Sequence, residues 1–108
     1  HGSRQFDSCP IPIHQLAEIR RSLKKSTVLI YDTGIRNGED ILKALCSGAD
    51  FVMVGKQALF SIAAEGFEGL VQMTNNLKKE IEIAMAQMGI FDINQLNASY
   101  LENTLTPK

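Results

Sequence analysis

Two short segments of this chain end apolar runs with groups suited to holding an anion. "DTGIR" (32–36) follows "TVLIY", and Gly55 with Lys56 follows "DFVMV". Glycines at 34 and 55 let backbone N–H groups come close to a ligand, because no Cβ stands in the way. Arg36 and Lys56 add positive charge, and a guanidinium can grip phosphate with two parallel hydrogen bonds. Asp32 is unsuited to phosphate and fits loop N–H groups or a ligand hydroxyl instead. For either loop alone, tight turns and solvated cations are as good an account. With both loops at one edge of a parallel sheet, an anion site is the better one, of the kind built after strands seven and eight of many (β/α)₈ barrels.

The opening "HGSRQFD" (1–7) is a second place where chemistry can sit. An imidazole such as His1 titrates near neutrality and can take a proton, and a guanidinium such as Arg4 can clamp a carboxylate. On spacing alone, the remnant of an affinity tag is the simpler account of His-Gly-Ser. His14 has no acidic or metal-ligating neighbour at useful spacing, so it reads as a surface or packing residue. Cys9 and Cys46 show neither metal-ligand spacing nor a disulfide framework. Reduced cysteines in a cytosolic protein, and no metal, are the expectation.

These groups need elements to place them. Residues 1–10 read as a loop. Pro12 opens a helix in which Ile13, Leu16, Ile19 and Leu23 share a face, with Arg20, Arg21, Lys24 and Lys25 near its C-terminal end. "TVLIY" (27–31) is a buried strand, "NGEDILKALCSGA" (37–49) a short capped helix and "DFVMVG" (50–55) a second buried strand. That is one βαβ unit, with parallel strands and a right-handed crossover. The helix starting near Asn37 should aim its positive end at the anion. A short helix over 56–66 and a longer one over about 67–88 follow, the latter stopped by Gly89. Residues 91–101 suit a last short helix capped by Asp92.

The chain has 108 residues, 44% hydrophobic and 21% charged, with a net charge of −1. Those proportions fit a globular protein and give no reason to expect nucleic acid as a partner. No apolar run is long enough for a transmembrane helix, and the start lacks a signal-peptide layout. Two parallel strands with about four helices leave sheet edges open, so the expectation is part of a larger sheet, at its C-terminal end.

"HGSRQFD", "YDTGIRNGEDILKALCSGADFVMVGKQALF" and "EGFEGLVQMTNNLKKEIEIAMAQMG" together resemble the C-terminal part of the FMN-dependent α-hydroxy acid dehydrogenases and oxidases. L-lactate dehydrogenase, lactate oxidase, glycolate oxidase and mandelate dehydrogenase belong to that family. The resemblance runs from residue 1 to about residue 96 and displaces the tag account of the opening. It implies an α/β fold, the C-terminal portion of a (β/α)₈ barrel, with strands 7 and 8 and their helices, incomplete as an isolated chain. Residues 1–10 become an active-site loop, 11–66 the phosphate-binding unit, and 67–108 the C-terminal helices and tail.

By the same resemblance, His1 matches the catalytic base, which takes a proton from the α-carbon or hydroxyl of the substrate. Arg4 matches the arginine that binds the substrate carboxylate. Asp32, Thr33, Gly34, Ile35 and Arg36 match the first FMN-phosphate loop, and Gly55 with Lys56 the second. The implied partners are a small 2-hydroxy acid, with L-lactate foremost, and an electron acceptor: a quinone, another acceptor or oxygen. A homo-oligomer in the cytoplasm, with peripheral membrane association open, completes the expectation. The family's flavin-contacting lysine, its substrate tyrosines and the acid orienting the histidine all belong upstream of His1, so the isolated chain is expected to be inactive.

Two departures stand out. The first loop of the family reads Asp-Gly-Gly, and Thr33 replaces its middle glycine, which is tolerable if φ stays negative there. The second loop ends Gly-Arg, and Lys56 keeps the charge without the fork. An IMP dehydrogenase/GMP reductase-like barrel, or a type 2 isopentenyl diphosphate isomerase-like one, would carry similar loops. As known, neither group shares the "HG.RQ.D" opening or the "LKKEIEIAM" helix.

Overall fold

The structure is a computed structural model and describes residues 5–102. Residues 5–10 form turns, with the Cys9 N–H donating to the Phe6 carbonyl at 3.0 Å. Helix α1 covers Pro12–Ser22, with its proline in the first turn and Arg20 and Arg21 in the last. Strand β1 is Ile30–Asp32, helix α2 is Gly38–Cys46, and strand β2 is Phe51–Met53. The strands pair in parallel, with Ile30 opposite Phe51 and Asp32 opposite Met53, and α2 is the connection between them.

Helix α3 runs over Lys56–Met88 and contains a break at Glu65 and Gly66, where Gly66 takes φ 60°. The expected pair of helices over 56–66 and 67–88 is therefore two arms of one element, bent at a residue that needs no Cβ. Gly89, at φ 71°, ends the second arm as a left-handed cap. The helix expected over 91–101 is instead two 3₁₀ turns, Ile93–Gln95 and Ala98–Tyr100. Asp92 caps the first, accepting from the Asn94 N–H at 2.9 Å, and Asn97 caps the second. Side chains that satisfy the backbone two residues on favour such turns over a continued helix.

The core lies where α1 and α2 meet one face of the sheet. Leu16, Ile35, Ile41, Ala44 and Ala49 are buried there, and Leu29, Tyr31, Val52, Leu77 and Ile81 pack around them. The strands are buried on this face only. Ile30, Phe51 and Met53 turn the other way and are 55%, 61% and 55% exposed, which corrects the expectation of fully buried strands. Alternate residues of a strand face opposite sides, and among the described residues nothing covers the second side.

The ends of the sheet differ in how their polar groups are used. At the N-terminal end, the Asp50 carboxylate accepts from the Leu29 N–H at 2.8 Å and from Arg20 at 3.2 Å. The same guanidinium donates to the carbonyls of Lys24 and Thr27 at 2.8 and 3.0 Å. One arginine thereby ties α1, the turn after it and the starts of both strands together.

Candidate functional site

At the C-terminal end of the strands, Asp32, Thr33, Gly34, Ile35, Arg36, Met53, Gly55 and Lys56 line a single cavity of about 230 Å³. Both predicted loops thus meet, as the parallel pairing of β1 and β2 requires. Ligand pockets that enclose a drug-sized molecule hold about 300–1,000 Å³, so this one suits a phosphate end rather than a whole cofactor. A Cβ built on Gly34 or Gly55 would meet nothing within 4 Å. Both glycines therefore open onto free space, as a cradle for an oxyanion needs.

The loop residues divide the work. Ile35 is buried, 7% exposed, and its side chain anchors the loop in the core. Arg36 and Lys56 are exposed. Among the described residues neither cation has an ion-pair partner, and the ion pair present is Arg20 with Asp50. His14 is exposed, as expected of it.

Which helix aims its N-terminus at the cavity differs from expectation. The first amides of α2 are already used inside the protein: Gly38 N–H donates to Glu80 Oε2 at 2.6 Å and Asp40 N–H to Asn37 Oδ1 at 2.9 Å. Helix α3 is the opposite case. It starts at Lys56 behind Gly55, has no side-chain cap and carries no acid in its first turn. The first amides of any helix lack intrahelical acceptors, so those of α3 remain for an anion.

Two further expectations change. Thr33 takes φ 136°, the one positive value among the described non-glycine residues, so the proviso of a negative φ fails. A side chain there costs on the order of 1–3 kcal/mol, which accounts for the expectation of glycine at this place. Asp32 stands on the cavity wall, but the carboxylate that accepts a loop amide is that of Asp40, from the Arg36 N–H at 3.1 Å. Gln57 completes the hold on Arg36 by donating to its carbonyl at 3.2 Å. Asp40 was visible in the sequence only as a first-turn acid, and Gln57 and Glu80 gave no local signal. His1 and Arg4 lie outside the described residues.

Nearby, Tyr31 lies beneath the loop with its phenol pushed above the ordinary value of 10.0, by burial first and by the Asp40 charge second. The Cys46 thiol is likewise raised, by burial, against a lowering hydrogen bond from the Asn97 backbone. Neither shift favours the charged nucleophilic form. No cluster that could hold a metal occurs among the described residues, nor does a helix long and apolar enough to cross a membrane.

The description of one protein family, "FMN-dependent dehydrogenase", fits residues 1–103. The chain belongs to that family. The choice left open among barrel families falls to this one, and FMN is its cofactor. A 2-hydroxyacid oxidase of Dictyostelium discoideum is 39% identical over 101 residues, covering 94% of this chain and 26% of that protein. The (S)-mandelate dehydrogenase of Pseudomonas putida is 38% identical over 103 residues, 95% of this chain and 26% of that protein. Among solved structures, a flavocytochrome b2 with benzoylformate superposes with TM-score 0.87 at 36% identity, covering 96% of this chain and 28% of that one. A crystal structure of (S)-mandelate dehydrogenase described as a monotopic membrane protein gives TM-score 0.87 at 37% identity, over 95% and 27% of the two chains. The family member described here thus spans about a quarter of the length of the relatives it matches.

The residues present fit the phosphate end of FMN: two open glycines, an uncapped helix start and two cations without ion-pair partners around one cavity.

Proposed function

We propose that the full natural chain bearing this segment oxidises an L-2-hydroxy acid, L-lactate foremost, to the 2-oxo acid with FMN. On this reading the segment supplies strands 7 and 8 of a (β/α)₈ barrel and is inactive alone. The observation that carries the proposal is the cavity shared by the two strand-end loops, found in a chain of the FMN-dependent dehydrogenase family.

FMN, when bound, supplies the two-electron acceptor that no side chain can provide. Gly34 and Gly55 give the phosphate backbone room, Arg36 and Lys56 balance its charge, and the first amides of α3 donate to it. Arg4 binds and orients the substrate carboxylate. His1 accepts the proton lost by the substrate, at its α-carbon or hydroxyl, as a general base. Asp32 is left to accept from a ligand hydroxyl. A quinone, another acceptor or oxygen takes the electrons onward. A homo-oligomer in the cytoplasm, or peripheral to a membrane as the mandelate dehydrogenase structure is described, is the proposed setting.

The test is spectroscopic. The purified full chain should be yellow, with flavin absorbance near about 450 nm that bleaches when L-lactate is added without oxygen. Bleaching by glycolate or mandelate and not by lactate would replace the substrate while keeping the chemistry. A colourless protein, or a colour that no 2-hydroxy acid bleaches, would overturn the proposal.

A further inference from the structure

The backbone from Arg36 to Gly38 is held from several directions, and two of the holds come from the two arms of α3. The first arm brings Gln57, whose amide donates to the Arg36 carbonyl at 3.2 Å. The second arm brings Glu80, whose carboxylate accepts from the Gly38 N–H at 2.6 Å. Gly38 rests directly on that arm. A Cβ there would come within 2.6 Å of Glu80 Cβ and 2.7 Å of the Ile81 nitrogen. Between these holds, Asp40 takes the Arg36 N–H at 3.1 Å, and Asn37 takes that of Asp40 at 2.9 Å. The Arg36 peptide is therefore fixed on both sides, while its guanidinium has no ion-pair partner among the described residues.

Glu80 has a second effect. A carboxylate at the start of a helix satisfies its amides and offsets its positive end. With Glu80 seated there, α2 is already supplied with an anion from within the chain, whereas α3, which starts beside the cavity of the two loops, has no side-chain cap. Arg36, Gln57 and Glu80 also border one further cavity, of about 320 Å³, between the loop and the arms of α3. Arg36 is exposed as well as bordering this cavity, so its backbone holds, rather than close packing, carry the task of placing it.

We propose that Glu80 and Gln57 are positioning residues: the two arms of α3 clasp the loop at its C-terminal end, at Arg36 and Gly38, so that the guanidinium meets the FMN phosphate without reorganising. This rests on the FMN-phosphate reading above. Preorganised donors bind more tightly because the cost of ordering them is met in the fold and not on binding.

The test compares FMN with riboflavin, which lacks the phosphate, by fluorescence titration of the apo form of the full natural chain. Glu80→Ala should weaken FMN about tenfold while leaving riboflavin unchanged, since losing a hydrogen bond to a charged group is worth about one to two decades of affinity. Glu80→Gln keeps an acceptor and should restore most of the loss. Gln57→Leu should weaken FMN about threefold, again without effect on riboflavin, and it stands as the second variant should Glu80→Ala fail to fold. FMN and riboflavin weakening together would mark the residues as merely structural and overturn the proposal. A preference for FMN that survives both substitutions would overturn it as well. A wild-type protein with no preference for FMN would remove the phosphate reading itself, and the clasp with it.

Discussion

Arg20 and Arg36 sit at opposite ends of the same two strands and have opposite fates. Arg20 is spent on the fold: its guanidinium meets the Asp50 carboxylate and the carbonyls of Lys24 and Thr27. Among the described residues Arg36 is held through its backbone alone, and it lines a cavity. The helix starts repeat the contrast, since α2 is satisfied by Asn37 and Glu80 while α3 begins at a bare glycine. A folded chain normally satisfies its polar groups from within. The end where, among the described residues, it does not is the end that the proposed function assigns to the FMN phosphate.

Breaking the open end should cost affinity and spare stability. Gly55 has ordinary dihedrals, φ −95° and ψ −73°, and free space around its Cβ position, so valine fits there without strain. Gly55→Val should nonetheless weaken FMN about a hundredfold, by filling the cradle and displacing the phosphate from its donors. Thermal melting of the apo protein should hardly move. Breaking the closed end should do the reverse. Arg20→Ala should lower stability by about 2 kcal/mol, for lost hydrogen bonds at a half-exposed site, with FMN affinity unchanged. Denaturant unfolding and a flavin titration on the same sample check both halves.

What can be read in the sequence is what depends on neighbours along the chain. The β-branched run before "DTGIR", the Asn37 cap, the Asp92 cap and the glycine stops are local signals, and the structure bears them out. The holds on the loop are not local. Glu80 lies 42 positions from Gly38, and Gln57 lies 21 from Arg36, so no periodicity links them. The exposed strand face escaped notice for a similar reason. "TVLIY" and "DFVMV" read as buried on both sides, yet Ile30 and Phe51 are left exposed by the described residues. Thr33 is intermediate: its departure from glycine is plain in the sequence, but its φ of 136° emerges only from the folded loop.

Two smaller effects sharpen the picture. Thr33→Gly should raise stability by about 1 kcal/mol, because the loop would no longer force a side chain into a left-handed region. A neutral or destabilising result would mean that the threonine side chain repays its strain. Tyr31 gives the least effect and sets a pH limit. Its folded-state pKa lies above the ordinary 10.0 through burial and the Asp40 charge. The folded state thus keeps the phenol proton longer than the unfolded one, so stability should be level below pH 10 and decline above it. In Tyr31→Phe that alkaline decline should be shallower, as read from melting temperature against pH.

The central claim is that the open end of the strands grips a phosphate, and the direct measurement is the ratio of FMN to riboflavin affinity in wild type and in Arg36→Ala. The wild-type full chain should prefer FMN by about a hundredfold or more, and Arg36→Ala should cut that preference at least tenfold. Riboflavin should bind both proteins alike. An unaltered ratio in Arg36→Ala, or equal binding of the two flavins by wild type, would contradict the account.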